Sequence, residues 1–399
     1  MMRLSLAGTN STNVKSQNLS AILLALLQNA DVSRVHLAQV LGVSNATITN
    51  LVSELTQQGY ITEKGFVESN GQVGRRQRAL RLVPNARYVL GVHIDVGTVY
   101  IALTDVLGVI VDRESFQHHL TESWQSVLDK ITATIQIINE RNPKRYNQIV
   151  GIGVAASGLI NVETGVNVFA PNLNWHDVPI QHYLQQRFSF PVIVDNNVRA
   201  MALGEALFGD GQHVNAMAFV YGRVGVGAGI VVDGQLYRGA VAGAGEIGHT
   251  IFVFNDGHTP LSALTPLENI VSEPAICAEA QKLTGETLDL KTIIERAKSG
   301  DATLRTMLED RAVYLGLALA NMVNILNPEL IVLGGIFQQA ETVMLEKIQD
   351  TVRRYAFANL GERVTILTSR FGQEAGMVGS AALALDSFFY RSQTYSQEA

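Results

Sequence analysis

Four runs of apolar residues, each followed by a glycine turn, constrain the fold of this chain more than any other feature. They span residues 88–94, 149–156, 216–221 and 330–333. Short apolar runs bounded by turn residues are typical of buried strands. Strands that alternate with helices predict an α/β body. Because loops at strand ends form ligand clefts in such proteins, we expect two α/β lobes with a cleft at the loop ends.

The composition indicates a folded protein of more than one unit. Of 399 residues, 47% are hydrophobic and 17% are charged, so two or three globular units are expected. The apolar stretch at 21–27 is far shorter than the roughly 20 residues that cross a bilayer, and no secretory signal is recognisable. The single cysteine, Cys277, cannot form an intrachain disulfide, and we expect it to be buried and inert. These features predict a cytoplasmic protein with no membrane partner.

Charge divides the chain into a basic head and an acidic body. Residues 1–87 contain nine Lys and Arg against four Asp and Glu, a net charge of +5, which leaves −11 for the remainder. Neutralisation of phosphates provides most of the non-specific affinity of a protein for DNA. The division therefore favours a DNA-binding head joined to a ligand-binding body.

The head has the pattern of a helix-turn-helix. The sequence predicts a first helix over 19–27, a second from a Ser33 cap through Leu41, and a third from a Ser44 cap to about Gln58. A tight turn at Gly42 separates the second helix from the third. A small helical domain that binds other proteins is the alternative interpretation.

The third helix has one apolar face and one polar face, which makes it the candidate recognition helix. Short polar side chains on the second face can contact base edges and phosphates. The segment 71–78 resembles a wing with a basic tip, although an ordinary solvated arginine run would look similar. The predicted DNA contacts are Ser44, Asn45, Thr47, Thr49, Asn50, Arg75, Arg76 and Arg78.

Three motifs in the body carry a family resemblance. In order and spacing, the segments 169–175 (FAPNLNW), 203–209 (LGEALFG) and 245–249 (GEIGH) resemble the sugar-binding half of the ROK family of repressors and sugar kinases. The resemblance runs from the first residues to roughly Ser387. It implies a winged helix-turn-helix at 1–86 and a two-lobed ribonuclease H-like body of the actin and sugar kinase type. The first lobe would span 87–205 and the second 206–399, with a final helix at about 374–388 that returns to the first lobe.

The resemblance also implies a sugar site. A pyranose needs several convergent hydrogen-bond donors and acceptors, and amide and carboxylate groups suit neighbouring hydroxyls. Separately, Asn172 could be a turn residue, Glu246 a helix cap and His249 a core imidazole. The positions that match the family's sugar contacts are Gly158, Asn172, Asn196, Asn197, Glu246, His249 and Glu268.

The catalytic position departs from the kinases of the family. Asn197 stands where they have the aspartate that accepts the proton of the sugar hydroxyl. Asp195, two residues earlier, is the alternative base. Both phosphate loops also differ, because Thr98, Val99 and Val224 occupy positions of a glycine and two threonines. We therefore expect no phosphoryl transfer and no nucleotide cofactor.

A structural zinc is not expected either. Many relatives bind zinc with one histidine and three cysteines, whereas Thr259, Leu261 and Pro266 occupy the three thiolate positions here. Asp256 and His258 could be offered as replacement ligands but are better interpreted as loop residues.

Together these features predict a sugar-responsive transcriptional repressor with an inactive kinase-like cleft, whose effector is a sugar or a sugar phosphate. One recognition helix per protomer reads few bases, so a homodimer or a dimer of dimers on a two-fold operator is expected. The main alternative is an active ATP-dependent sugar kinase with a regulatory head, which the retained Asp95 and Glu205 favour. A scaffold that sequesters a transporter subunit is a third possibility from the family.

Overall fold

The computed structural model describes residues 11–66, 77–252 and 265–391. The head contains three helices and a two-stranded antiparallel sheet: α1 (Ser11–Gln28), α2 (Arg34–Leu41), α3 (Asn45–Gln57), β1 (Ile61–Phe66) and β2 (Arg78–Leu82). Ser33 and Ser44 cap α2 and α3 through their side chains, and Gly42 has the left-handed conformation, with φ 65°. The predicted winged helix-turn-helix is therefore confirmed.

The first lobe is built on a five-stranded sheet with the order β10-β6-β3-β4-β5, in which β10, β6 and β3 run parallel. A small three-stranded sheet, β7-β8-β9, follows the end of β6. The elements of this lobe are β3 (Tyr88–Asp95), β4 (Thr98–Asp105), β5 (Ile110–Gln117), β6 (Ile149–Ala156), β7 (Leu159–Asn161), β8 (Val166–Ala170), β9 (Trp175–Val178), β10 (Val192–Asn196), α4 (Trp124–Arg141), α5 (Pro143–Tyr146) and α6 (Ile180–Gln185).

The second lobe repeats this design with the sheet order β13-β12-β11-β16-β17. Its strands are β11 (Ala216–Gly222), β12 (Val226–Val232), β13 (Gln235–Tyr237), β14 (Ile251–Phe252), β15 (Thr265–Pro266), β16 (Leu330–Gly335) and β17 (Thr365–Thr368). Its helices are α8 (Glu268–Val271), α9 (Glu273–Thr284), α10 (Leu290–Lys298), α11 (Ala302–Leu326), α12 (Ile336–Gln339), α13 (Glu341–Tyr355) and α14 (Leu360–Arg363). All four apolar runs of the sequence thus form strands of the two main sheets, and the α/β prediction is confirmed.

Two buried helices connect the lobes. The first is α7 (Asn197–Phe208), every residue of which is buried. The second is α15 (Ala375–Leu385), which packs on β3 and β6 of the first lobe and against α7. The approach is so close that a Cβ on Gly153 would lie 2.0 Å from the Ser380 carbonyl oxygen. The final helix therefore returns to the first lobe, and the proposed boundary at 205/206 falls inside α7.

The head and the body share one hydrophobic cluster. Leu19 and Leu51 of the head belong to the same buried set as Leu207 of α7 and Tyr390, which ends a π-helical turn after α15. Tyr60 meets the neighbouring Phe389 edge to face, with ring centroids 5.2 Å apart. The head is thus packed directly against the turn that follows α15.

Two expectations concern the setting of the chain. Cys277 is half-buried, not fully buried, and packs against the core of the second lobe. Burial raises the pKa of its thiol, which lowers the fraction of reactive thiolate. Among the described residues, no helix combines the length and apolar composition that crossing a bilayer requires.

Candidate functional site

A cavity of about 490 Å³ opens between the two lobes. The first lobe contributes the ends of β3, β6 and β8, and the second contributes the loop after β11 and the segment 244–249. All seven sugar candidates line it: Gly158, Asn172, Asn196, Asn197, Glu246, His249 and Glu268. The fold therefore brings together residues that lie up to 110 positions apart in the sequence.

On the first-lobe side of the cavity, Gly158 and Asn196 contact backbone groups of the protein itself. Gly158 has φ +104°, and an added Cβ would lie 2.5 Å from the Phe169 carbonyl oxygen. The Asn196 amide nitrogen donates to the Gly158 carbonyl at 2.9 Å. Its oxygen accepts from the Val198 N–H at 2.9 Å and so caps α7. Asn196 therefore shapes the cavity wall, because its amide already has partners on both sides.

Asn197 lies at the first turn of α7 beside Ser157. Its amide nitrogen donates to the Ser157 hydroxyl at 3.1 Å, and its oxygen accepts from the Val198 N–H at 2.9 Å. An amide cannot accept the proton of a sugar hydroxyl at any ordinary pH. The arrangement can bind a hydroxyl but supplies no base at this position.

Asp195 is fully buried between two arginines, and it is not among the described residues that line the cavity. Its oxygens accept from Arg199 Nε at 2.7 Å and from Arg238 Nε at 2.9 Å. Arg199 also donates to the Ala242 carbonyl at 2.6 Å. The hypothesis that Asp195 replaces the missing base is therefore wrong. Its carboxylate instead ties the start of α7 to the 238–246 segment that leads to Glu246.

On the second-lobe side, Glu246 and His249 form an open pair at the cavity. The His249 Nδ1 lies 3.6 Å from the Glu246 Oε2, and their side chains are 70% and 56% exposed. His249 is thus not a core imidazole, and Glu246 makes no side-chain cap bond. Both polar groups are available to a ligand.

Glu268 approaches the glycine loop that follows β11. Its Oε2 accepts from the Val226 N–H at 2.8 Å. A Cβ on Gly225 would lie 2.9 Å from this oxygen and 3.9 Å from Asn172 Nδ2. Glu268 and Asn172 therefore converge on one small space above Gly225.

The phosphate loops also line the cavity. Arg223 of the second loop donates to the Asp95 carboxylate of the first, although 128 positions separate them. Val99 is fully buried in β4, and Val224 lines the cavity. Both loops are thus joined through a side-chain ion pair.

Glu205 does not belong to this cavity. It is fully buried in α7, where the Ser369 hydroxyl donates to its Oε1. Burial raises the pKa of its carboxyl, and the Ser369 hydrogen bond only partly offsets this. Its retention therefore gives no support to a kinase.

The arginines were the residues that sequence reasoning missed. Arg199, Arg223 and Arg238 take no part in the seven predicted contacts, yet Arg199 and Arg223 line the cavity. The sequence showed that Asp95 is retained, but it did not indicate that Arg223 would reach it, since 128 positions separate them. Nothing in the sequence indicated that Arg238 would reach Asp195, since 43 positions separate them.

The candidate recognition helix presents the polar face that its pattern predicts. Ile48, Leu51, Val52 and Leu55 are buried, whereas Asn45, Thr49 and Asn50 are exposed. Ser44 caps the helix by accepting from the Thr47 N–H at 3.1 Å, and the two hydroxyls lie 2.9 Å apart. Thr49 donates its hydroxyl to the Asn45 carbonyl at 2.8 Å. The side chains of Asn45 and Asn50 make no hydrogen bond within the described ranges.

The wing is described only at its base. Arg75 and Arg76 lie outside the described residues. Arg78 begins β2, its side chain is 67% exposed, and it lies 3.9 Å from the Glu63 carboxylate. Arg34 also binds Glu63 through Nη2, and its Nη1 donates to the Thr49 carbonyl at 3.3 Å. This link fixes α3 against the base of the wing.

Comparison with known proteins matches both the head and the body to protein families. The model for the ROK family matches residues 89–387, and a model for winged helix-turn-helix DNA-binding matches residues 16–62. The xylose repressor of Caldicellulosiruptor bescii is 31% identical, over 94% of this chain and 97% of its own. A glucokinase of Halalkalibacterium halodurans is 30% identical, over 74% of this chain and 94% of its own. The crystal structure of a ROK family transcriptional regulator, a homologue of the Escherichia coli Mlc protein, superposes with a TM-score of 0.81 at 25% identity, over 96% of this chain and 99% of its own.

Proposed function

The chain belongs to the ROK family, and we propose from this that it is a sugar-responsive transcriptional repressor. It binds operator DNA through the head and a monosaccharide in the cavity of the body. The observation that carries the proposal is that a DNA-binding head and a ROK body occur in one chain. A relative that is named a repressor matches 94% of the chain and so includes both head and body, whereas the glucokinase matches 74%.

The sugar is sensed and not phosphorylated. Three features support this: Asn197 stands at the base position, Asp195 is held between two arginines, and Arg223 occupies the Asp95 carboxylate. Phosphoryl transfer depends on positioning and on charge stabilisation around the phosphates. A carboxylate that is paired with a guanidinium is less available to a metal-bound nucleotide.

D-xylose is the first effector to test, because the relative with 31% identity over nearly the whole chain is named a xylose repressor. The seven candidate residues suit a ligand with several hydroxyl groups, because two glutamates and three asparagines are among them. Carboxylates and amides reject a ligand whose hydroxyls leave them unpaired.

Four finer assignments are also parts of the proposal. The chain acts in the cytoplasm, as a homodimer or a dimer of dimers, on an operator of two half-sites. Its units are the head at 1–86 and the lobes at 87–205 and 206–399. Sedimentation of the full chain with and without operator tests the assembly.

The deciding experiment combines ligand binding with DNA binding. Calorimetry with D-xylose, D-glucose and N-acetylglucosamine, each with and without ATP and magnesium, identifies the effector. Gel shifts with operator DNA then measure whether that sugar changes operator affinity. Binding of a sugar that leaves operator affinity unchanged would contradict the sensor function.

A phosphorylation assay separates the sensor from the kinase alternative. With radiolabelled ATP, the wild type is expected to form no sugar phosphate, because loss of a positioned general base alone costs about 10² to 10⁴ in rate. Asn197→Asp is expected to stay nearly inactive, since Val99, Val224 and Arg223 remain. An active ROK glucokinase serves as the positive control. Turnover by the wild type at an ordinary kinase rate would establish the alternative.

A further inference from the structure

The contact between Asp95 and Arg223 crosses from one lobe to the other. Asp95 is the last residue of β3 in the first sheet, and Arg223 directly follows β11 in the second sheet. The carboxylate side chain is 9% exposed and the guanidinium 35% exposed. Both side chains also line the sugar cavity.

Each partner is held firmly within its own lobe. An Asp95 oxygen accepts from the Val96 N–H at 2.8 Å, and the Asp95 carbonyl accepts from His118 Nε2 at 2.8 Å. The Arg223 N–H donates to the Gly225 carbonyl at 2.8 Å, and its carbonyl accepts from the Glu273 N–H at 2.9 Å. The ion pair therefore joins two anchored strand ends and not two mobile loops.

This junction is located where both phosphate loops face the cavity. Two-lobed proteins commonly close around a ligand by hinge motion, and any group that bridges the lobes favours the closed form. A guanidinium that binds the opposite carboxylate makes such a bridge with no second ligand present.

We propose that Asp95 and Arg223 form an interlobe clasp that holds the cavity closed enough to bind a monosaccharide without a nucleotide. Both are positioning residues: they set the distance between the first-lobe and second-lobe sugar contacts. Preorganisation of this kind raises affinity by reducing the cost of ordering the site on binding. The part that concerns sugar affinity rests on the proposed function, whereas the part that concerns lobe closure does not.

A distance measurement tests the clasp in the ligand-free protein. Spin labels are attached at Glu163 of the first lobe and Gln281 of the second, both exposed, in a full-length Cys277→Ser background. Arg223→Ala is expected to lengthen and broaden the interlobe distance distribution. Arg296→Ala is the matched control, because Arg296 is 36% exposed and its ion pairs lie within the second lobe. Identical distributions for Arg223→Ala and the wild type would overturn the proposal.

Calorimetry with D-xylose then tests the consequence for binding. Arg223→Ala and Asp95→Asn are each expected to weaken affinity on the order of tenfold, and the double variant no further, since the two residues act as one pair. The exchanged variant, Asp95→Arg with Arg223→Asp, is expected to recover part of the loss.

The two proposals fail in distinguishable ways. If the wild type binds none of the three sugars, the sensor function fails, and the interlobe distances still decide the clasp. If the wild type binds D-xylose and a folded Arg223→Ala binds it equally well, the clasp is wrong and the sensor function stands. Thermal unfolding of each variant establishes that it is folded.

Discussion

Polar side chains at the cavity divide into those that hold the backbone and those that are open to a ligand. Asn196 has partners for both its amide groups, and Glu268 accepts one backbone N–H. Within the part of the chain that the structure describes, the side chains of Glu246 and His249 form an ion pair with each other, 3.6 Å apart, and more than half of each side chain is exposed. A substitution at Glu246 therefore tests ligand binding alone, whereas one at Glu268 changes the protein as well.

Glu246→Ala is expected to weaken sugar binding by roughly 1.5 to 3 kcal/mol, the worth of a hydrogen bond to a charged acceptor. Glu268→Ala is expected to weaken it at least as much and also to lower stability, because the Val226 N–H loses its acceptor. Both variants lose the sugar response and keep operator binding without sugar. Calorimetry checks the affinities, with the exposed Glu346→Ala on α13 as control. Undiminished affinity in both variants would refute the site.

Glu205 predicts a pH dependence of stability. Its carboxyl has a pKa raised by burial, so the folded state holds its proton more tightly than the unfolded state does. The stability that this proton provides is present below the unfolded pKa and is lost as pH rises through the folded pKa. Glu205→Gln is therefore expected to melt at a higher temperature than the wild type at about pH 8, with the difference disappearing near pH 4. A difference that is the same at both pH values would show that ionisation plays no part.

At the scale of elements, we expect helix α3 and the wing to make different kinds of contact with DNA. The exposed side chains of α3 can contact base edges, whereas the basic wing can contact phosphates. Arg34 links the two through Glu63 and the Thr49 carbonyl. Changes in the helix should therefore alter which sequence is preferred, and changes in the wing should alter affinity for every sequence.

Replacing Arg75, Arg76 and Arg78 with alanine is expected to weaken operator binding and to reduce its dependence on salt, because fewer phosphates are neutralised. Asn45→Ala or Thr47→Ala is expected to change the ranking among operator sequences with less effect on the salt slope. Binding titrations at several salt concentrations measure both quantities. An unchanged affinity and slope in the triple variant would disprove the wing assignment.

Local patterns predicted these elements well because their causes are local. Ser33 and Ser44 cap their helices through bonds that reach only three residues ahead, and apolar runs form strands wherever both faces are buried. The partners of Asp195 and Asp95 could not be predicted, because Arg238 and Arg223 reach them from another lobe. Family resemblance supplied the seven cavity residues, but it could not distinguish the committed amide of Asn196 from the open carboxylate of Glu246.

At the scale of the whole molecule, a continuous path of packed elements joins the cavity to the head. Asn197 at the cavity begins α7, and α7 packs along α15. The turn after α15 presents Phe389 to Tyr60, which lies between the recognition helix and the wing. A change in lobe closure would therefore move the surface on which the head rests.

Tyr60→Leu is expected to leave the affinity for sugar unchanged while reducing the effect of sugar on operator affinity. Such coupling is typically 1 to 3 kcal/mol, about 5 to 150-fold, and the variant should lower it by removing the ring contact. Operator titrations with and without sugar give the ratio. Tyr355→Leu is the control, because each ring lies under an arginine, Arg87 over Tyr60 at 4.9 Å and Arg354 over Tyr355 at 5.4 Å, but Tyr355 is on α13. An unchanged ratio in Tyr60→Leu would place the coupling elsewhere.

The position of α15 also has a consequence for synthesis on the ribosome. The strands that it covers are complete at Ala156, whereas the helix begins only at Ala375. At a translation rate of about 5 to 20 residues per second, this face of the first sheet stays uncovered for roughly 10 to 40 s before α15 is synthesised. A nascent chain can thus complete its DNA-binding helices early, yet a chain that stops before Ala375 lacks the helix and the turn that support Tyr60. Truncation before α15 is therefore expected to leave the first sheet uncovered and to prevent stable folding of the body.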